Sequence, residues 1–297
     1  MNKRLLCSLF VLMCLIPLFS ANRALIVGIG NYDTKKTGWS KLHGDKDVQM
    51  LSKALRLQGF DHILTLSNEQ ATKSNIITYL KQLANECQSG DKVFFSFSGH
   101  GQLIQNFNGD VEKNGYDESI VPYDAYKTSR YIYNGTNYNG QNHLTDDEIA
   151  PLLNAIKVKI GKKGIFFVAI DACYSEGMEQ DVEASYSTDD LEIMGSTRGS
   201  ADVFKPVSSA YLKAIPKPEG FSRVGKMIVV SACRSNERNF EYRIPKTDIV
   251  VGSLSHCIAY LLEKDADFQA WIVFFQKKLY RGKRLFVPAQ HPTITIY

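Results

Sequence analysis

Apolar runs too continuous to be half-exposed alternate along this chain with stretches whose apolar residues recur at helical spacing. The first kind comprises Arg23 to Gly30 (RALIVGIG), His62 to Leu66 (HILTL), Asp91 to Gly101 (DKVFFSFSGHG), Ile165 to Ile170 within GIFFVAIDACYSEG, and Lys226 to Cys233 (KMIVVSAC). Such runs, rich in β-branched and aromatic residues, predict strands covered on both faces. The second kind comprises Asp45 to Gln58, stopped by Gly59, then Thr72 to Cys87, and Asp146 to Lys157, capped by Thr145. Asp248 to Lys264 and residues 267–280 also read as helices, and a short last strand is expected near RLFVPAQ (284–290). Strands alternating with helices predict an α/β fold with a mostly parallel central sheet and helices on both faces. Neither a repeat nor a Pro- or Ser-rich linker divides residues 22–297, so one domain is expected there.

Two segments interrupt the alternation. Gln102 to His143 is polar and reads as an insertion with one hairpin. Glu176 to Arg223 is longer than an ordinary loop, and loops of that length are functional or disordered. It carries Arg198, Lys205, Lys213, Lys217 and Arg223 among Gly, Ser and Pro, so it is expected to be exposed and mobile. Arg198, within GSTRGSAD, is expected to be its most accessible basic residue.

Composition changes this picture mainly at the N-terminus. With 44% hydrophobic and 22% charged residues among 297, the chain is ordinary for a globular protein. Lys3 and Arg4 precede 15 residues, Leu5 to Phe19, that are almost wholly apolar, followed by Ser20 and Ala21. That order reads as a signal peptide over residues 1–21 and predicts export to the periplasm or the medium. The run is short for a bilayer span. The boundary is not a clean A-x-A, so an uncleaved anchor stays open, and with it the only expected contact with a membrane. The net charge is +4; without Lys3 and Arg4 it is near +2, which argues for neither a nucleic acid nor an anionic surface as partner. Cys7 and Cys14 fall in the signal region. The other four, Cys87, Cys173, Cys233 and Cys257, form neither a disulfide framework nor a zinc pattern. Burial in helical patterns accounts for Cys87 and Cys257.

Two strands end in reactive groups. SFSGHG places His100 after the third, and IDAC places Cys173 after the fourth. In a parallel sheet, neighbouring strands deliver both side chains to one carboxyl edge, where ligands bind. An imidazole beside a thiol can take its proton and return it to a leaving amine. The N–H groups of Gly101 and Cys173 could hold the developing oxyanion. A lone Cys or a lone His is more often a packed residue; the pair at adjacent strand ends reverses that preference. GIGNYD lacks the third glycine of a dinucleotide fingerprint and SFSGHG lacks G-x-S-x-G, so nucleotide-binding and serine-hydrolase readings are poor.

The ordered set ALIVGIGNY, LHGDKDVQML, FFSFSGHG, NGYDESIVPYD, LTDDEI, IDACYSEG and VVSACRSNE resembles caspase-like cysteine peptidases of the C14 family, and most closely their metacaspase-like branch, in a bacterial, exported form. Caspases carry Q-A-C-[RQG]-G with the His about 50 residues upstream. Here the separation is 73 and Asp-Ala precedes the Cys, as in the metacaspase-like relatives. The resemblance implies a caspase-like three-layer sandwich and a cysteine endopeptidase acting on peptides or proteins through a Cys173–His100 dyad and a thioester acyl-enzyme. It assigns Cys233 to the following strand, with a structural role, and lets the end of that strand, with Ser231, line the substrate cleft. It implies an S1 pocket containing Asp47, Ser98 and Asp171, selective for Arg or Lys through charge-assisted hydrogen bonds. The local match leaves Asp45 as the alternative to Asp47, and a helix N-terminus also accounts for either. No cofactor is implied for the chemistry. Several relatives bind calcium through Asp residues in the region of Asp117, Asp146 and Asp147, with Asp181 as a further ligand; a solvated acidic loop would look the same. Relatives also cut themselves beyond the catalytic Cys, so self-cleavage within 176–223 is expected. The competing function is a catalytically silent binding or scaffold module of the same fold, which would need neither thiol nor imidazole.

Overall fold

The computed structural model describes residues 20–109, 115–174, 192–200, 202–216, 220–234, 237–264 and 290–297. Most of the expected signal segment (1–19), the expected helix at 267–280 and all but the last residue of the expected strand at 284–290 lie outside the described residues.

The central sheet has six strands. β1 (Asn22–Gly28), β2 (His62–Ser67), β3 (Lys92–Ser98), β9 (Ile165–Asp171) and β11 (Lys226–Ser231) run parallel, and β14 (Thr293–Ile296) closes the β11 edge antiparallel. The order is β14-β11-β9-β3-β1-β2. Alternate residues of one strand feed different cores. Leu25, Val27, Phe95, Phe97, Phe166 and Val168 pack with α3 (Lys73–Glu86) and α4 (Asp146–Ile160). Ala24, Ile26, Phe94, Phe167 and Ala169 pack with α2 (Gly44–Leu57) and α6 (Ser253–Glu263). Helix–sheet–helix layering is why these strands carry no polar alternation. Thr145 caps α4 as its sequence predicts: its Oγ accepts from the Glu148 amide at 3.3 Å while Glu148 accepts from the Thr145 amide at 3.2 Å.

Smaller elements surround the carboxyl edge of the sheet. The β1–α2 connection contains one helical turn, α1 (Thr34–Thr37). β4 (Gly101–Gln105), β5 (Tyr116–Ile120) and β8 (Leu144–Thr145) form an antiparallel sheet, and β6 (Ile132–Tyr133) pairs with β7 (Thr136–Asn137). The polar insertion therefore has more than one hairpin, and it has a core of its own: Ile104, Tyr126 and Tyr138 pack with Phe204, and with Leu212 of the short helix α5 (Ala210–Lys213). β10 (Glu192–Thr197), β12 (Phe240–Arg243) and β13 (Val250–Gly252) form a third antiparallel sheet. β13 corrects the expected helix over Asp248 to Lys264. Val250 and Val251 pair with β12, and the helix starts only at Ser253. A three-residue apolar strand running straight into an amphipathic helix leaves no break in the pattern.

Candidate active site

β3 and β9 are neighbours in register, Ser98 opposite Asp171. His100 and Cys173 each follow two residues later, so the parallel pairing carries both to the same edge at the same level. The imidazole is buried. Its Nε2 lies 2.9 Å from the Ser40 carbonyl, which can only accept, so Nε2 carries the proton and Nδ1 the lone pair. Nδ1 has no hydrogen-bond partner among the described residues. Trp39 stacks on the ring with centroids 4.8 Å apart, and Tyr32 lies against it at 4.9 Å. The Tyr32 hydroxyl accepts from the His100 amide at 3.1 Å and donates to the Val121 carbonyl at 2.8 Å. Burial pulls the His100 pKa down to about 4, so the ring is neutral at physiological pH.

The Cys173 thiol is fully buried and donates to the Glu237 carbonyl at 2.8 Å. Cys233, from the turn after β11, reaches the same carbonyl at 3.5 Å and hydrogen-bonds the Cys173 thiol. That contact, then burial, raises the Cys233 pKa and keeps it a thiol. Neither cysteine forms a disulfide among the described residues.

Carboxylates gather behind them. Asp47 comes from the first turn of α2, Asp171 from the end of β9 and Glu241 from β12; all three are buried. Between them lies the guanidinium of Arg198, 0% exposed. Its Nη2 donates to Asp47 at 2.7 Å and to Glu241 at 2.8 Å; its Nη1 donates to the Ser98 hydroxyl and lies 3.7 Å from Asp171 Oδ1. Ser98 donates in turn to Asp47 at 2.5 Å, as does the Gly252 amide at 3.0 Å. Asp171 is held by Asn239 at 2.7 Å and by the Ser255 amide and hydroxyl at 2.8 and 2.7 Å. His43 donates backbone and ring N–H groups to Glu241, both at 2.8 Å. Burial would lower the Arg198 pKa, but the three carboxylates outweigh it and the net shift is upward. Burial would raise that of Glu241, yet Arg198 and His43 hold it below the usual range. Burial drives Asp47 up to about 6 against the pull of Arg198.

The backbone of Arg198 is held as well. Its carbonyl accepts from the Gly101 and Cys173 amides, both at 3.0 Å, and its own N–H donates to the Asn239 carbonyl at 2.9 Å. A Cβ on Gly101 would come 2.6 Å from the Cys173 carbonyl oxygen, so the residue after His100 must be small.

His100, Cys173, Gly101, Asp47, Ser98 and Asp171 therefore come together, and Asp45 is excluded from the cage in favour of Asp47. One expectation needs correction. Arg198 is not accessible but among the most deeply buried cations, because three carboxylates enclose it. Ser231 ends β11, backbone-paired to Ile170 and Thr293, and is not among the partners of the guanidinium. Among the described residues no group of three or more His, Cys, Asp or Glu side chains is poised to hold a metal ion. Asp117 lies on β5, and Asp146 and Asp147 open α4 just after the Ser119–Thr145 pair, so oxygen donors share one end of that small sheet without forming a ligand cage. Asp181 lies outside the described residues. Glu241, Asn239, Gly252, His43 and the Tyr32–Trp39–Ser40 loop escaped the sequence reading. Glu241 had one available signal: it sits between Phe240 and Tyr242, so in a strand it faces away from both.

The caspase domain family, Peptidase C14, matches residues 21–257. A metacaspase-1A of Aspergillus niger is 32% identical over 178 residues, 56% of this chain and 38% of its own length. A metacaspase-1 of Emericella nidulans is 33% identical over the same shares. The chain thus spans well under half the length of these relatives. The crystal structure of protein GSU0716 from Geobacter sulfurreducens covers 93% of both chains with a TM-score of 0.61 at 20% identity, a likeness of fold.

Proposed function

The chain belongs to the caspase domain family of peptidases, and on that premise we propose that it is a cysteine endopeptidase cutting after Arg or Lys. The observation that carries this reading is Arg198: its guanidinium fills the carboxylate cage while its carbonyl sits on the Gly101 and Cys173 amides. A side chain and a carbonyl fixed together in this way describe an S1 pocket and an oxyanion hole with a basic residue in place. A lysine ammonium reaches the same carboxylates as a point charge, without the fork.

In this mechanism His100 Nδ1 takes the thiol proton and Cys173 Sγ attacks the carbonyl carbon. The two amides hold the oxyanion, and the thioester forms as the proton passes to the leaving amine. Water, deprotonated by His100, then releases the acid and restores the thiol. The Ser40 carbonyl keeps the tautomer that leaves Nδ1 basic. Burial keeps that nitrogen unprotonated down to about pH 4. Export through residues 1–21 and a calcium requirement at Asp117, Asp146 and Asp147 belong to the same proposal. The first is checked by sequencing the N-terminus of the exported protein, the second by activity with chelator; no change on chelation removes calcium.

A fluorogenic library varied at P1 tests the whole reading, with Arg and Lys expected to dominate. Cys173→Ala and His100→Ala should lose turnover while folding normally, and Cys233→Ala should keep it. Cleavage after Asp or apolar residues would refute the pocket, and loss with Cys233→Ala alone would refute the nucleophile. A silent module would leave Cys173 unlabelled by an Arg-directed peptidyl electrophile.

A further inference from the structure

The carboxylates of the site enclose a cation, whereas the loops packed on the imidazole carry the opposite charge. Trp39 stacks on His100, and Lys127 Nζ lies over the indole, 5.6 Å from its ring centre. The Lys127 amide donates to the Thr37 carbonyl at 2.9 Å, and its carbonyl accepts from Gln102 of β4 at 3.2 Å. Those bonds fix the loop 127–131 beside the catalytic edge. Lys127, Thr128, Arg130 and Tyr131 line a cavity of about 280 Å³ there. Lys41, exposed, follows Ser40, whose carbonyl holds His100, and α1 adds Lys35 and Lys36, exposed as well. Among the described residues, none of these five cations forms an ion pair. The two carboxylates of these loops are engaged elsewhere. Asp33 accepts from the Lys36 amide at 3.1 Å, and Asp124 from the Lys73 amide at 2.9 Å. The indole N–H of Trp39 is buried and has no acceptor among the described residues. A buried donor without an acceptor is costly, and an oxygen of a bound ligand satisfies it.

We propose that Lys127 and Arg130, with the Trp39 N–H, form a subsite for an acidic side chain that the substrate carries within a few residues beyond the cut bond. The inference deepens the Arg-directed peptidase reading and rests on it. In that reaction His100 protonates the leaving amine, so the chain beyond the bond begins at the imidazole and leaves past Trp39. A substrate with a cation before the bond and a carboxylate after it then matches both halves of the cleft. A cation placed after the bond meets like charge instead. Lys127 is half-buried and Arg130 exposed, so each pair brings the few-fold gain of a surface ion pair, and salt screens it. The subsite therefore acts on the choice of substrate and not on the chemical step. It changes kcat/KM among substrates that differ beyond the bond, and leaves untouched a substrate with no side chain there.

The experiment uses the full chain and internally quenched peptides cut after one Arg. An Asp, Asn or Lys is placed in turn at each of the first few positions beyond the bond, with Ala at the others. An Arg-aminocoumarin peptide, whose leaving group has no side chain, is the control. At one or more positions wild type should cut the Asp peptide with about fivefold higher kcat/KM than the Asn peptide, and the Lys peptide more slowly than either. The preference should shrink below about twofold in roughly 0.5 M salt. The double variant Lys127→Gln/Arg130→Gln should lose it, and Lys127→Glu/Arg130→Glu should reverse it in favour of Lys. Both should turn over the control within about twofold of wild type. Should the charge reversal fail to fold by circular dichroism, the Gln pair carries the test. Equal kcat/KM for Asp, Asn and Lys peptides in wild type, or a preference that survives in the Gln pair, overturns this inference alone. So does equal cutting of the three with inorganic phosphate slowing wild type but not the Gln pair, which would make the patch a site for free anions. Failure to cut any Arg peptide, the control included, overturns the peptidase reading and this inference with it.

Discussion

At the scale of single residues the pocket is defined by what each group is denied. Asp47 is denied water, and burial drives its pKa to about 6, Arg198 pulling the other way. A carboxyl whose pKa is raised holds its proton to higher pH, and protonation removes the charge that a basic P1 residue needs. With no cation in the pocket that pull is absent, so the free enzyme should titrate higher still. kcat/KM for an Arg peptide, which reports the free enzyme, should therefore fall about tenfold per pH unit below the Asp47 pKa. An Asp47→Asn variant should be low and flat over that range. An unchanged pH profile in the variant would remove Asp47 from the pocket. Gly252 is denied a side chain: a Cβ there would lie 2.3 Å from Asp171 Oδ2 and 2.6 Å from the Arg198 Cζ. Overpacking of that kind costs about 1–3 kcal/mol, so Gly252→Ala should raise KM for Arg peptides by roughly fivefold to a hundredfold. Slimmer Lys peptides should lose less, and equal losses for both would show that Gly252 does not shape the pocket.

At the scale of elements, what could be read from sequence was what the central sheet imposes. Ala24–Val27 and Phe166–Ala169 touch helices on both faces, so continuous apolarity identified them, and the parallel order then brought His100 and Cys173 to one edge. The β10–β12–β13 sheet could not be read in this way. Its strands are short, β13 runs straight into α6, and its pairing partners are far apart in sequence. One of the three carboxylates of the cage, Glu241, therefore stayed hidden, and so did Asn239, because both owe their place to that sheet. The same placement makes β12 testable through a neighbour. The Glu241 hydrogen bond raises the pKa of His43 against the effect of burial. Glu241→Gln should lower the His43 pKa, read by NMR titration of its ring protons. The same variant should raise KM for Arg peptides about tenfold, because one of the two direct charge partners of Nη2 is gone. A His43 pKa that does not move would show that Glu241 does not hold the ring.

At the scale of the whole molecule, the insertion between β3 and α4 reads as polar surface, yet it buries the imidazole of His143. His143 accepts from the Tyr138 hydroxyl at 2.8 Å through Nδ1 and donates to Gln102 Oε1 at 2.9 Å through Nε2, so both ring nitrogens are satisfied in the neutral form. Burial lowers its pKa to about 3, as it lowers that of His100 to about 4. A depressed histidine pKa means that the unfolded chain takes up the proton below about 6.5 while the folded chain refuses it. Stability rises with pH wherever the unfolded state binds more protons, so each ring subtracts stability as pH falls from about 6.5 toward its folded value. At about 1.4 kcal/mol per unit, each costs on the order of 3 kcal/mol by pH 4. Asp47 works in the opposite direction between about 4 and 6, because its folded pKa is raised, and His43, raised likewise, does so only above about 6.5. The wild-type curve alone therefore mixes several protons, and a difference between variants isolates one. In the inactive Cys173→Ala background, where self-cleavage cannot intervene, His143→Gln should flatten the slope of unfolding free energy against pH by about one proton between pH 6 and 4. At pH 7.5 it should lose only what its hydrogen bonds contribute, about 1–2 kcal/mol. Urea unfolding across that pH range measures both quantities. Parallel curves for the two proteins would mean that His143 enters the folded state already charged, contrary to the hydrogen bond it accepts from Tyr138.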